Sequence, residues 1–411
     1  MDRLDDEYNK WYEQQTFEVI NKDDVREMLV KDLSFVSKLT VEEYTLYRKW
    51  LEIQERYPDK ASKTGMDSFF GEVTSDDSGY PDVQLVKNNI WTPVNHNDYI
   101  DLEPEVIHCK GPDVKIWNIL RTFTSTMLNN SNIGRNLRFI VSDKRTGKYL
   151  GVICLSSDFL DLTPRDNFIG WSREIKTQGR MINHTGIGST IVPTQPLGFS
   201  YVGGKLLTLL TLSDVPEKTW NDTYGDVLAG ITTTSLYGSF SQYRNLKYWN
   251  KRGHSAGSIK FEPQKRTVLF ARNWLRTNFP RRYWEWYNAK NEQGLPLKRD
   301  HKQRSLSFVY SQLKISKDLF QTDHARGIYF SHLYNNTNEF LRKEITEDKL
   351  VKRFDNSVDS LVDIWKTRYA VKRVASLLKS DRFNYDQLFY DFMIGRTWEE
   401  VKEKYINDVG R

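Results

Sequence analysis

The sequence predicts a mixed α/β protein, and three observations carry that prediction. Residues 137–142 and 149–155 are β-rich runs on either side of the polar turn Asp143-Lys144-Arg145-Thr146-Gly147-Lys148, so they read as a hairpin. Helical and strand patterns then alternate: helix over 172–181, strand over 188–192, helix over 201–212, strand over 228–234, helix over 239–247. Between hairpin and alternation lies Leu162-Thr163-Pro164-Arg165-Asp166-Asn167-Phe168-Ile169-Gly170-Trp171. Pro164 and Gly170 bracket this run, and its adjacent charges sit beside apolar Phe-Ile, so it is expected to be a non-repetitive loop.

The other regions follow in order. Residues 1–100 read as helical and then irregular: Leu29, Leu33, Val36, Val41, Tyr44 and Tyr47 recur at roughly helical spacing, with Asp23-Asp24 as a cap, and 61–100 is rich in Gly, Ser, Asp, Asn and Pro. The α/β core is expected over 104–255, a basic aromatic segment over 256–304, and a helical region throughout 305–411. A chain of 411 residues has ample length for such a core, and 38% hydrophobic and 13% aromatic residues suit a folded protein.

Composition removes several classes. No apolar run approaches a membrane span, so no membrane partner is expected, and Met-Asp-Arg-Leu-Asp-Asp-Glu does not read as a signal peptide. Cys109 and Cys154 are too few for a disulfide scaffold and fit a reducing compartment; neither has zinc-ligand neighbours, and no metal is expected. The expected location is the cytoplasm, the host's if the chain is phage-encoded.

The net charge of +6 is unevenly spread. Between Arg244 and Arg304 stand sixteen Lys/Arg against four Asp/Glu, while residues 1–60 hold fifteen Asp/Glu against ten Lys/Arg. In the basic stretch Lys247, Lys251, Arg252, Lys265, Arg266, Arg272, Arg276, Arg281 and Arg282 are interleaved with Trp249, Trp274, Trp284 and other aromatics. Cations neutralise phosphates and aromatic faces stack on bases, so one contiguous surface for nucleic acid is expected here, with DNA preferred over RNA and Trp284 among the contacts. Some of the tryptophans must be core. The C-terminal helices offer a surface for a protein partner.

The strand over 188–192 leads into Gln195-Pro196-Leu197-Gly198-Phe199-Ser200 and Val202-Gly203-Gly204-Lys205. This resembles the Q-x-x-G-x-G/A loop with which N-acetyltransferases cradle a coenzyme A pyrophosphate, and implies Gln195, Gly198, Ser200, Gly203 and Gly204 as a site for acetyl-CoA or another acyl-CoA. Such a site needs a splayed pair of parallel strands and an open cleft. The competing reading is a glycine-rich turn before a packed helix.

The run from Leu162 to Trp171 is similar to the L-x-P-R-D-x-x-I-G-W segment of DruA-like proteins, found in the Druantia anti-phage system, in phages and in mobile elements. In that family an Asn-containing strand ending in Pro follows, and here Ile182-Asn183-His184 leads to Ile191-Val192-Pro193. The element Gly238-Ser239-Phe240-Ser241-Gln242-Tyr243-Arg244-Asn245-Leu246-Lys247-Tyr248-Trp249 matches the family's last helix start and also resembles the phage Mom DNA-modification proteins. The resemblance covers about 135–255 and implies an acetyltransferase-like fold. It implies Arg165, Asp166, Asn183 and Tyr248 as the catalytic set: Arg165 binding an anion or Asp166 acting as a base, with a charged side chain facing a cleft beside Asn183, and Tyr248 as a general acid. A structural Arg165–Asp166 ion pair and a half-buried Tyr248 are the competing readings. One departure stands out, since related proteins place carboxylates on the strand before the last helix and this chain has none between Asp226 and Glu262. The expected function is therefore a nucleic-acid-binding protein of a phage, anti-phage or mobile-element system without retained catalysis. The alternatives are an acyl-CoA-dependent base-modifying transferase and a virion or assembly component.

Overall fold

The computed structural model describes residues 3–59, 80–130, 134–236, 241–255, 259–297, 301–322 and 325–409. Gly238, Ser239 and Phe240, the pair Asp323-His324, and 60–79 of the irregular stretch lie outside them. The chain divides into two compact units, 1–44 with 257–324 and 45–256 with 325–411.

The larger unit is built on a seven-stranded mixed sheet. Its strands are β1 (Pro104–His108), β2 (Asn136–Asp143), β3 (Tyr149–Ser157), β4 (Thr185–Pro193), β5 (Gly230–Ser235) and β6 (Asn250–His254), joined by a strand from the C-terminal region, Gly327–His332. In chain order that last strand is β9, because β7 (Ile259–Lys260) and β8 (Gln321–Thr322) pair with each other in the smaller unit. The sheet order is β1-β2-β3-β4-β5-β9-β6, antiparallel throughout except for the parallel pair β4/β5. The expected hairpin is β2/β3. Both strands are buried along nearly their whole length, which explains why they read as continuous apolar runs rather than alternating ones.

The helix Gly203–Leu210 is buried almost all round and lies against this sheet. Gly151 lets Leu207 approach, since a Cβ there would collide with the leucine and with the β4 backbone. The helix Asp113–Thr124 packs on β2 and β3, with Trp117 Nε1 donating to the Ile153 carbonyl at 3.0 Å.

Several expected elements differ. Residues 163–169 form a short α-helix rather than a loop: Pro164 falls in the first turn, where its missing N–H costs nothing, and Gly170 closes the end at φ 81°. The helix expected over 172–181 is a single π-turn, Glu174–Gln178, ended by Arg180 at φ 59°. The one over 201–212 shortens to Gly203–Leu210 because Val202 is left-handed at φ 52°. Residues 241–249 are turns, with Asn245 and Tyr248 at φ 54° and 72° preventing a continuous helix. The region 305–411 is not helical throughout, since β9 lies between β5 and β6 in the sheet.

In the smaller unit the helices Lys265–Asn278, Pro280–Tyr287 and His301–Gln312 pack together, and Lys22–Val36 packs on the first of them. Among the described residues no helix is long and apolar enough to cross a membrane.

Candidate nucleic-acid interface

The run from Leu162 to Trp171 meets the start of the basic stretch in the larger unit. The helix Thr163–Ile169 packs on β6 and β9, and a Cβ at Gly253 would lie 3.3 Å from Pro164. The side chains of that helix go two ways.

Arg165 is fully buried, contrary to the expectation of a charge presented to a cleft. Its Nε and Nη2 donate to Asp166 Oδ1 at 2.9 and 2.6 Å, Nη2 also reaches the Phe159 carbonyl, and Nη1 is in close charge contact with Asp158 at 2.6 Å. Asp158, at the end of β3, also accepts from Thr232 Oγ1 at 2.7 Å. Thus the carboxylate missing from β5 in the sequence reaches that strand from elsewhere. Lys176 bridges Asp166 and Asp161 at 2.7 and 2.9 Å. Burial works against its charge, but the two carboxylates outweigh it and raise its pKa. Asn183 is half-buried, and its carbonyl accepts from Arg135 at 3.0 Å; among the described residues no hydrogen bond joins it to Arg165. Tyr248 is half-buried with its ring stacked 3.8 Å from Phe354, and its carbonyl accepts from Ser331 Oγ.

Phe168, about one turn further on, carries a different cluster. The Arg252 guanidinium lies 3.3 Å from the Phe168 ring centroid, and its Nε is buried without a hydrogen-bond partner. The His332 ring also packs on Phe168, at 5.3 Å. Asn338 Nδ2 donates to the Phe168 carbonyl, which turns Oδ1 toward His332 Nε2 at 3.0 Å. Nε2 is therefore the protonated nitrogen and Nδ1 keeps its lone pair. Burial above all, then the charges of Arg252 and Arg353, push the His332 pKa down to about 4 against its hydrogen bond to Asn338. Arg353 makes only long contacts, 3.4 Å to the Tyr248 carbonyl and 3.5 Å to the His332 carbonyl. Among the described residues neither Arg252 nor Arg353 is paired with a carboxylate, and burial lowers the pKa of both. Sequence reasoning passed over Asp158, Lys176, His332, Asn338 and Arg353; the β-rich run Gly327-Ile328-Tyr329-Phe330-Ser331-His332 was the available signal for the His.

The basic stretch does not fall in one unit. Lys247, Lys251 and Arg252 belong to the larger, and Lys265, Arg266, Arg272, Arg276, Arg281, Arg282 and Trp284 to the smaller. Trp284 is buried, as are Trp274 and Phe261, so these aromatics are core rather than stacking platforms. Lys265, Arg266 and Arg282 are exposed. Arg282 lies 4.7 Å over the Phe308 ring and Arg272 5.6 Å over Tyr287, whereas Arg281 is paired with Asp5 at 2.8 Å and with Glu285, and Arg276 donates to the Thr16 carbonyl. In the larger unit Lys247 is exposed, 4.9 Å over Tyr248.

The Gly198–Tyr201 part of the loop compared with a coenzyme cradle has its backbone donors committed. The N–H groups of Gly198, Ser200, Tyr201 and Lys205 bond backbone carbonyls, and that of Phe199 bonds Gln195 Oε1 at 2.7 Å. The Gln195 side chain covers Gly198, and Gln242 covers Gly204. Strands β4 and β5 do splay, their pairing ending at Ile187/Thr232. Thr233 Oγ1 and Gln242 Nε2 then take the Gly188 and Ile191 carbonyls at 3.1 and 3.2 Å, and Tyr243 fills the wedge beside them. These residues do not fit a pyrophosphate. Among the described residues no group of three or more His, Cys, Asp or Glu could hold a metal ion.

A family model described as Druantia protein DruA matches residues 93–343. The Druantia protein DruA of Escherichia coli (strain UMEA 4076-1) is 27% identical over 240 residues, 54% of this chain and 57% of the relative. The chain thus matches little more than half of that relative's length. The region covered by the family model holds Arg165, Arg252, His332 and Asn338 and ends before Arg353. No solved structure matches.

Proposed function

The chain belongs to the DruA family, and from that membership we propose that it is a nucleic-acid-binding component of an anti-phage defence system. One observation carries the reading. Within the basic stretch Lys247, Arg252, Arg272 and Arg282 sit over aromatic rings and have no carboxylate partner among the described residues. Such cations are held in place yet keep their charge for a phosphate, unlike a salt-bridged surface, which spends it internally. The preferred ligand is DNA, and the cations act mainly on its backbone, so sequence discrimination is expected to be weak.

Fluorescence anisotropy with labelled duplex DNA, single-stranded DNA and RNA tests this. Affinity should fall by roughly tenfold or more between about 50 and 200 mM salt. Absence of binding at the low-salt end, or an affinity indifferent to salt, would falsify the proposal. The acyl-transfer alternative has less support, because the Gln195 side chain covers Gly198 and Gln242 covers Gly204.

A further inference from the structure

We propose that Arg252 and Arg353, with His332 beside them, form a binding site for a single phosphate group. Three features point there. First, both guanidinium groups are half-buried and lie near enough to act on each other and on His332, yet neither has a carboxylate counter-ion among the described residues. Two like charges drawn together in a partly desolvated place repel each other, and a shared anion relieves that repulsion.

Second, the donors are unspent. Arg252 Nε is buried with no acceptor, and the two carbonyl contacts of Arg353 are 3.4 and 3.5 Å long. A planar guanidinium fork matches phosphate oxygens, and a buried donor left without a partner is costly. Third, the surroundings are rigid and selective. Phe168 orients Arg252, Asn338 fixes the His332 tautomer, and Phe354 stacks on Tyr248, whose carbonyl Arg353 approaches.

The site deepens the nucleic-acid reading by naming the group gripped, and rests on that reading only for the source of the phosphate. Isothermal calorimetry with inorganic phosphate tests the site on the full chain. Wild type should show saturable binding, and Arg252→Gln and Arg353→Gln should each weaken it by about tenfold to a hundredfold, the loss expected for a charge-assisted hydrogen bond. Arg353→Lys should fall between, since the charge remains but the fork is gone. Lys372→Gln, at an exposed lysine of another helix, should bind as wild type does. If Arg252→Gln fails to fold, Arg353→Gln carries the test, because its long contacts contribute little to folding. Equal phosphate affinity in wild type and both Gln variants, or no saturable binding by wild type, overturns the site.

Competition then assigns the source. Displacement of phosphate by 5′-phosphorylated and 5′-hydroxyl oligonucleotides alike indicates the nucleic-acid backbone. Displacement by the phosphorylated form alone indicates a strand end, and by adenosine monophosphate but neither oligonucleotide, a free nucleotide. That last result keeps the site while counting against the nucleic-acid reading. DNA binding without any phosphate site does the reverse.

Discussion

Arg165 belongs to the short helix Thr163–Ile169 and Arg252 lies on Phe168 of the same helix, and their surroundings assign them opposite work. Arg165 is sealed from solvent and faces Asp158 and Asp166, so its charge is consumed inside the fold. Arg252 lies on Phe168 with an unpartnered Nε and a second arginine nearby, so its charge remains to be neutralised from outside. The difference teaches that an arginine in a family-specific motif is not thereby a ligand-binding one. Counting the oxygens around it separates the two cases: two carboxylates for Arg165, none for Arg252 among the described residues.

The largest expected effect is on the buried side. Arg165→Ala strands the buried Asp158 without its cation, leaving Asp166 to Lys176, and should cost about 3–5 kcal/mol in urea unfolding. Arg165→Met combined with Asp158→Leu should recover much of it, because no lone charge then stays buried. A loss below about 1 kcal/mol for Arg165→Ala would break the comparison at its root.

The next effect belongs to His332. Its pKa stands at about 4 in the folded chain, against 6.5 ordinarily. Between those values the unfolded chain binds the extra proton, so stability is full above about pH 6.5 and declines as pH falls towards 4. The decline attributable to this residue should be on the order of 3 kcal/mol. His332→Gln should remove that part of the pH dependence; identical pH–stability curves for variant and wild type would mean the imidazole is not desolvated.

Arg252→Gln should change stability by no more than about 1 kcal/mol, the loss of a cation–π contact offset by relief of repulsion from Arg353. A destabilisation as large as that of Arg165→Ala would erase the contrast. The smallest effect concerns Arg281 in the other unit. Asp5→Asn removes a half-exposed ion pair and should shift stability by less than about 0.5 kcal/mol, while taking away one of the two carboxylates paired with Arg281 and slightly tightening DNA binding. Weaker DNA binding by this variant would show that Asp5 does more than mask Arg281.

How far these assignments were legible depended on the range of the interactions. The hairpin β2/β3 was readable because strand runs and turn are contiguous. Pro164 and Gly170 marked the ends of their element correctly, but Pro164 in a first turn starts a helix as readily as it excludes one, and the interior was misread. Strand β9 was lost because its six residues stand among helical patterns and its partners β5 and β6 lie far back in the chain. The positive charge of the 244–304 stretch was plain as a count. Which cations were already neutralised was not, since Asp5 reaches Arg281 from the other end of its unit. The burial of Arg165 was hidden for a similar reason: Asp158 precedes the motif, and Thr232 comes from another strand.

The most direct measurement is the salt dependence of DNA affinity for wild type and for the double variant Arg252→Gln, Arg353→Gln, each checked for an unchanged melting temperature. If the two guanidinium groups together neutralise one backbone phosphate, the slope of log affinity against log salt should become shallower by about 1 in the double variant. An unchanged slope and affinity in a folded double variant would contradict the account and place these two arginines, like Arg165, inside the architecture of the fold.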